Sequence, residues 1–509
     1  MKKMFRIIAG LLIVAGILVC GGCSNFLNKQ PQGVETSQNF FKTEDQAQRA
    51  LIAAYGAIAW QYSVDNANWF NQWMIGDIVS DDAEKGGEGP ADISDLEQLR
   101  EFRANAQNTI TGPQYQVPYI GIHRANLVIT NVSDTGILSR SAISDSSRAL
   151  IVAQAKFLRA WSYFILVKSF GDVPLDTLPI TSDQLIAQAE CKPRTPKAQV
   201  WALIERDLSE AAAVLPEKSN MDLSMDAGRV TKGSANALLV KAYMYQGKFA
   251  PAEALADTII NSHEYLLQGN FADIFKLDNE NGVESVFEIQ YTEDPADSWN
   301  NADQGEAVSV FQAMRDSTYF TGFGFDCPTK SLADEFEPGD KRKKATIIAV
   351  GDTLYKGTAE QQIIKSLSSP TGMNAKKYLL EIGEDVPDLT NAPNNWRAIR
   401  YAEVLLFHAE AANENGNAAA ALVSLNKVRS RAGLLPVATM DKDSLRTAIY
   451  HERRVELALE GQRFFDVVRQ GRGATVFGSM GFAKGINEIF AIPQIELDVC
   501  GSLRQNTGY

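Results

Sequence analysis

Residues 398–433 read AIRYAEVLLFHAEAANENGNAAAALVSLNKVRSRAG, and residues 231–262 read TKGSANALLVKAYMYQGKFAPAEALADTIINS. In the first stretch Ile399, Ala402, Leu406 and Ala409 fall on one helical stripe. In the second, Ala235, Leu238, Ala242 and Tyr245 repeat the same offsets. Apolar residues recurring every three or four positions predict an amphipathic helix. Each stripe is followed by a polar glycine turn, Asn415-Gly416-Asn417 or Gln246-Gly247-Lys248, and then by a second apolar run. The spacing therefore predicts two helix–turn–helix units. Neither can bury its apolar face alone, so such units must stack on neighbours.

This layout resembles tetratricopeptide repeats, whose period is about 34 residues. Further helical patterns cover 43–60, 113–133, 146–169, 196–214, 418–431 and 443–460. The first opens on the capping box Thr43-Glu44-Asp45-Gln46. Residues 62–112 and 265–395 differ: they are rich in Gly, Asn, Asp, Pro and aromatic residues and show little periodicity. Short strand-like runs occur there at Val286-Phe287-Glu288-Ile289 and Ile347-Ile348-Ala349-Val350. The fold class predicted is mostly α, a tetratricopeptide-like helical repeat scaffold with long loop-rich insertions and a few short strands. Residues 43–509 form one unit, with the helical repeats mainly in 43–61, 113–262 and 398–460. Ligand binding is expected in the insertions, since connecting segments carry function on rigid scaffolds.

The 509 residues are 45% hydrophobic and 22% charged, which excludes a disordered chain, a fibre or a multi-span membrane protein. A net charge of −13 argues against nucleic acid as a partner. At the N-terminus Lys2, Lys3 and Arg6 precede an apolar run from Ile7 to Val19, long enough for a secretory signal and too short for a permanent span. Gly21 and Gly22 directly before Cys23 resemble the lipobox of bacterial lipoproteins. Residues 1–22 are thus read as a signal peptide, Cys23 as the lipid attachment site, and 23–42 as a tether. Cleavage removes three positive charges and leaves the mature chain near −16. Beyond Cys20 and Cys23 only Cys191, Cys327 and Cys500 remain, which form neither a disulfide framework nor a paired metal motif.

Catalytic signatures are missing from the sequence. His123, His263, His408 and His451 make no zinc spacing, and no GxSxG elbow occurs. GRVTKGS at 228–234 fails as a phosphate loop, because its lysine precedes the second glycine. GFGF at 322–325 fails as a dinucleotide fingerprint, because Cys327 stands at the third glycine. His408 is expected in the core. The cluster Glu452, Arg453, Arg454, Glu456, Glu460 and Arg463 is expected to be an ion-pair network holding two helices together, with Arg453 pairing along its own helix to Glu456 or Glu460. Asp77, Asp81 and Asp82 are the only calcium candidates weighed, and they lack the alternating order of a known loop. No other cofactor is expected.

Seven blocks recur in order: FLNKQPQG after the lipid cysteine, RALIVAQAKFLRAWSYFILVKSFGDVPL from Arg148, GRVTKGSANALLVKAYMYQGKF from Gly228, GFGFDCPTKSLADEFEPGDKRKKATI from Gly322, RYAEVLLFHAEAANENGN from Arg400, ERRVELALEGQRFFDVVRQG from Glu452, and FAIPQIELDVCGSLRQNTGY at the end. Together they resemble the SusD/RagB family of Bacteroidetes outer-membrane lipoproteins. Two departures are Cys500, where the family often has asparagine, and the uncharged Ser24-Asn25-Phe26 where an acidic export run often stands. The resemblance implies a non-catalytic, surface-exposed, lipid-anchored protein of the outer membrane. It would capture oligosaccharides and deliver them to a SusC-like TonB-dependent transporter. A RagB-like lid that captures peptides, or a structural gating lid with no ligand of its own, are the alternatives.

Sugar rings stack on flat aromatic faces while amides bond their hydroxyls. Asn68-Trp69-Phe70-Asn71-Gln72-Trp73, Trp299-Asn300 and Tyr319-Phe320-Thr321-Gly322-Phe323 combine both kinds of group. The ligand-binding candidates are therefore Asn68, Trp69, Trp73, Trp299, Asn300, Tyr319, Phe320 and Phe323. Trp396 beside Asn394 and Asn395 is a weaker fourth cluster.

Overall fold

A computed structural model describes residues 40–59, 72–179, 192–292, 305–316, 320–354, 361–380 and 392–509. The expected helices are present: α1 (Glu44–Ala59), α3 (Thr111–Val132), α4 (Asp145–Phe170), α5 (Lys197–Ala212), α6 (Lys232–Tyr245) and α7 (Phe249–Asn261). The short α2 (Gln72–Ile78) lies between the first two. Side-chain caps set the starts of α1, α4 and α6. Gln46 N donates to Thr43 Oγ1 at 3.2 Å, and Thr43 N donates to Gln46 Oε1 at 3.2 Å. The GRVTKGS segment is a second capping box: Thr231 Oγ1 accepts from Ser234 N at 3.1 Å while Ser234 Oγ accepts from Thr231 N at 3.2 Å.

Consecutive helices pack on one another: α3 on α4, α4 on α5, and α6 on α7. α4 is apolar enough to cross a membrane, yet 78% of its apolar window is buried inside the protein, which makes it the central core helix. Gly121 permits the close approach of α3 to α4, since a Cβ there would lie 2.7 Å from Ser162 Oγ. The second repeat unit comprises α10 (Tyr401–Glu414) and α11 (Ala418–Ala432), and it stacks on α7. It is followed by α12 (Lys442–Glu456) and α13 (Arg463–Arg469).

Two boundaries differ from the periodic pattern. Residues 398–400 are not helical. They end strand β6 (Trp396–Arg400), which pairs antiparallel with β2 (Ser285–Ile289) in the register Trp396↔Ile289 and Arg400↔Ser285. Both strands are buried along their whole length, so no alternation betrays them. Helix α12 stops at Glu456 because the chain turns sharply, with Leu459 at φ 59° and Gly461 at φ 76°.

The loop-rich half is built from short elements. β1 (Ala83–Gly86) pairs antiparallel with β3 (Phe325–Pro328), and β4 (Ile347–Ala349) with β5 (Met373–Ala375). Helices α8 (Val308–Gln312) and α9 (Lys330–Glu335) flank β3. One hydrophobic core runs through both halves, and a small satellite of Met314, Ile348, Leu354 and Ile364 lies in the loop-rich half.

Cys500 is disulfide-bonded to a partner outside the described residues, a single pairing that cysteine spacing did not indicate. Cys327 is free and buried.

The Thr231 hydroxyl also meets the Tyr265 hydroxyl at 3.1 Å. Thr231→Ala is therefore expected to cost about 1–2 kcal/mol, the upper range for losing an N-cap, read as a lowered denaturant midpoint at unchanged slope.

Candidate functional site

The arginine-rich block from Glu452 becomes the most heavily charged part of the interior. Glu456 is fully buried and accepts from three arginines: Arg342 Nη1 at 3.0 Å, Arg400 Nη1 at 3.0 Å, and Arg431. Its backbone carbonyl accepts from Lys377 Nζ and Arg400 Nη2, each at 3.1 Å. Glu460 takes the other side of Arg400, at 2.8 and 2.7 Å, and Lys377 at 2.6 Å. Glu452 accepts from Arg342 at 2.6 Å and Arg429 at 2.9 Å. Burial alone would raise the Glu456 pKa, and the arginines reverse that, holding it far below the ordinary carboxylate range.

An ion-pair network was expected here, but it joins more than two helices. Arg342 and Lys377 come from the loop-rich half, Arg400 from β6, Arg431 from α11 and Glu456 from α12. Arg453 does not pair along its own helix. It reaches Glu403 on α10 at 2.8 Å and Asp466 on α13 at 2.6 Å.

The calcium candidates are drawn into the same seam. Arg463 holds Asp81 with two bonds at 2.8 and 3.0 Å, and Arg454 Nε reaches Asp82 Oδ1 at 2.7 Å. Asp77 Oδ2 accepts from Gly461 N at 2.7 Å. This contact requires Gly76, where a Cβ would lie 2.0 Å from Gly461 O. Asp81 and Asp82 are thus already neutralised by guanidinium groups, and among the described residues no three His, Cys, Asp or Glu are placed to hold a metal.

His408 is buried as expected. Its Nδ1 meets Ser424 Oγ at 2.8 Å and its Nε2 lies 3.1 Å from Asp257 Oδ1. The set has the members of a nucleophilic triad, but Ser424 is buried in the middle of α11, where a substrate cannot reach it.

Of the ligand-binding candidates, Asn68, Trp69, Trp299, Asn300 and Tyr319 lie outside the described residues. Trp73 is the second residue of α2. Phe320 sits in a two-residue strand opposite Asp316. Phe323 is half-buried with its ring 5.3 Å from that of Phe311, so part of its surface serves packing. Trp396 is a core residue, edge-on to Trp161 at 6.1 Å. Asn395 Oδ1 accepts from Tyr291 N at 2.9 Å, and Asn394 donates to Ser309 Oγ at 3.1 Å, so this fourth cluster is structural.

The described flanks of the three remaining clusters converge. α2 carries Trp73, α8 follows the segment of Trp299, and β3 follows that of Phe320 and Phe323. Both α2 and α8 pack on β3. Arg315, at the edge of this unit, reaches Glu88 and donates to Phe323 O at 3.4 Å. Nothing in the sequence signalled Arg315, because its acidic partner is 227 residues away.

Residues 274–509 match the model of the SusD family, and residues 26–244 match a model described as starch-binding associating with outer membrane. The chain belongs to the SusD/RagB family. Among its curated relatives is SusD-like protein P2 of Formosa agariphila, 26% identical with 91% of each chain covered. Among solved structures, a laminarin binding SusD-like protein superposes with a TM-score of 0.78 at 28% identity, covering 92% of this chain and 100% of its own. Surface glycan-binding protein A from Bacteroides thetaiotaomicron, in complex with laminarihexaose, gives a TM-score of 0.77 at 27% identity, covering 91% and 100%.

Breaking a buried ion pair by removing one partner typically costs about 3–5 kcal/mol. Glu456→Gln is expected to fall in that range in equilibrium denaturation. Lys330→Ala, which breaks a pair with Asp334 that is exposed on both sides, should stay within about 0.5 kcal/mol.

Proposed function

We propose that this protein is a surface-exposed, lipid-anchored glycan-binding protein that captures oligosaccharides and passes them to a TonB-dependent outer-membrane transporter, without catalysis. The observation that carries the proposal is whole-chain similarity to solved proteins whose names record laminarin or laminarihexaose as ligand. The outer-membrane description of the matching family model supports the location. So does the disulfide at Cys500, since disulfides persist in exported proteins and are rare in the cytosol. The anchor is Cys23, and stable anchoring needs more than one acyl chain.

The ligand site lies around α2, α8 and β3, with Trp69, Trp73, Trp299, Tyr319 and Phe320 as stacking groups and Asn68 and Asn300 as hydroxyl partners. Phe323, whose ring packs on Phe311, belongs to the same site. The ligand class is settled by an array of glycans, including laminarin oligosaccharides, and of peptides, probed with the mature chain lacking its lipid. Glycan capture supports the proposal. Peptide capture alone would replace it with a peptide-binding lid, and no capture at all would leave a gating lid.

Two predictions follow from these assignments. Trp73→Ala and Trp299→Ala should each weaken glycan binding by about 2 kcal/mol or more, the cost of truncating a binding hot spot, with thermal melting unchanged. A core tryptophan would instead lose about 3–5 kcal/mol of stability. Cys23→Ala should leave the membrane fraction; retention there, or lipid found on Cys20, would refute the anchor.

A further inference from the structure

The C-terminal segment is tied to the exit of α4 by polar bonds. Asn506 Nδ2 donates to Phe170 O at 3.0 Å and to Phe490 O at 2.8 Å, and Phe490 N donates to Ser169 O at 2.8 Å. The stretch leading into α5 touches both partners. Thr195 N donates to Val173 O at 3.0 Å, while Arg194 reaches the Asn506 side chain and, at 3.4 Å, Gln505 O. Two residues before Arg194, Lys192 O lies 3.8 Å from Cys500 Sγ. Cys500 is itself fixed at the end of the short helix Gln494–Val499, where its N–H donates to Glu496 O at 3.0 Å.

Cys500 carries a disulfide, and the other cysteines of the chain are Cys20, Cys23, Cys191 and Cys327. Cys327 is free and buried on β3. Cys191 itself lies outside the described residues, but its neighbour Lys192 is the residue whose carbonyl meets the Cys500 sulfur. Consecutive Cα atoms are about 3.8 Å apart, and a disulfide joins Cα atoms about 4.4–6.8 Å apart. A sulfur that already touches the next residue's carbonyl sits at the range such a bridge requires. Cys20 and Cys23 belong to the signal and the lipid anchor, an exclusion that rests on the function proposed above; the Lys192 contact is independent of it.

We propose that Cys191 and Cys500 form an intramolecular disulfide that locks the C-terminal segment to the connection between α4 and α5. It forms by exchange: one cysteine thiolate attacks an oxidising protein or small-molecule disulfide, and the second thiolate then resolves the mixed disulfide. Two protons leave the cysteines and two electrons pass to the oxidant, which departs as a dithiol. Such oxidants act outside the cytosol, where an exported chain meets them.

The bridge is long in sequence, since Lys192 and Cys500 are 308 residues apart. It closes the chain from α5 to α13 into one covalent ring, with β3 and α8 inside it. Closing a ring restricts the unfolded chain, and the restriction grows with the logarithm of ring size. A chain end held only by hydrogen bonds frays readily; a covalent bond to the scaffold removes that freedom.

The linkage can be read on wild-type protein recovered from cells that export it. Free thiols are alkylated in denaturant, the chain is digested without reductant, and linked peptides are identified by mass spectrometry. The expected result is a peptide pair joining Cys191 to Cys500, with Cys327 alkylated and the chain monomeric on a non-reducing gel. Cys500 found alkylated, or linked to Cys20, Cys23, Cys327 or a second copy of the chain, would overturn the proposal. Glycan capture is measured separately, so the bridge and the binding function can fail independently. Cys191→Ser, Cys500→Ser and the double variant should raise the unfolding constant by one common factor of about thirtyfold or more, the range of a typical disulfide. Dithiothreitol should bring wild type to the same level and leave the variants unchanged. C191S unfolding like wild type without reductant, or losses that add in the double variant, would refute the lock.

Discussion

A single buried carboxylate, Glu456, sets the terms on which the rest of the molecule assembles. Three guanidinium groups converge on it from the loop-rich half, from β6 and from α11. Without it each would keep another carboxylate but lose one of its buried partners, and breaking a buried ion pair costs several kcal/mol. Glu460 and Glu452 extend the arrangement in both directions along the chain and complete the pairing of Arg400, Lys377 and Arg342. Such a network contributes less net stability than an apolar core of the same volume. It demands specificity instead, since several distant chain segments must bring their charges to the same place.

That requirement explains why helix α12 ends where it does. The turn at 457–462 places the Glu460 carboxylate on Arg400 and Lys377 and presents Gly461 N to Asp77. Through Gly76 and Asp77 the turn holds α2, and through α2 it holds β3 and α8. The segments bearing the candidate aromatic residues therefore leave from a base that is bolted to the repeat scaffold. Loops that pair flat aromatics with amides need such a base, because stacking and hydroxyl recognition both depend on fixed geometry.

Charge has two uses in this seam. Between α9 and α12, Arg454 and His451 meet Glu335 as ordinary partly buried pairs. Asp326 on β3 is fully buried and accepts from Gln312 Nε2 at 2.7 Å, and among the described residues no cation is paired with it. The contrast comes from position alone. α9 lies against the arginine face of α12, whereas α2, which packs on β3, carries Asp77 and no cation.

The sequence by itself determined the helices, because their signals are local. A stripe at three- and four-residue spacing, a capping box at Thr43 or Thr231, and a glycine turn each act within a few residues. It also carried the ordered blocks from which the family was read. It could not reveal β6: Trp396–Arg400 is buried on both faces, so the alternation that marks a strand is missing. Nor could it say which arginine meets which glutamate, since partners such as Arg342 and Glu456 lie 114 residues apart and helical spacing suggested a wrong pair for Arg453. The same limit applies to the site. Aromatic-amide clusters could be seen in the chain, but Trp396 proved to be core and Phe323 to be half support. Burial is a property of what packs on a residue, and that is decided only when distant segments meet.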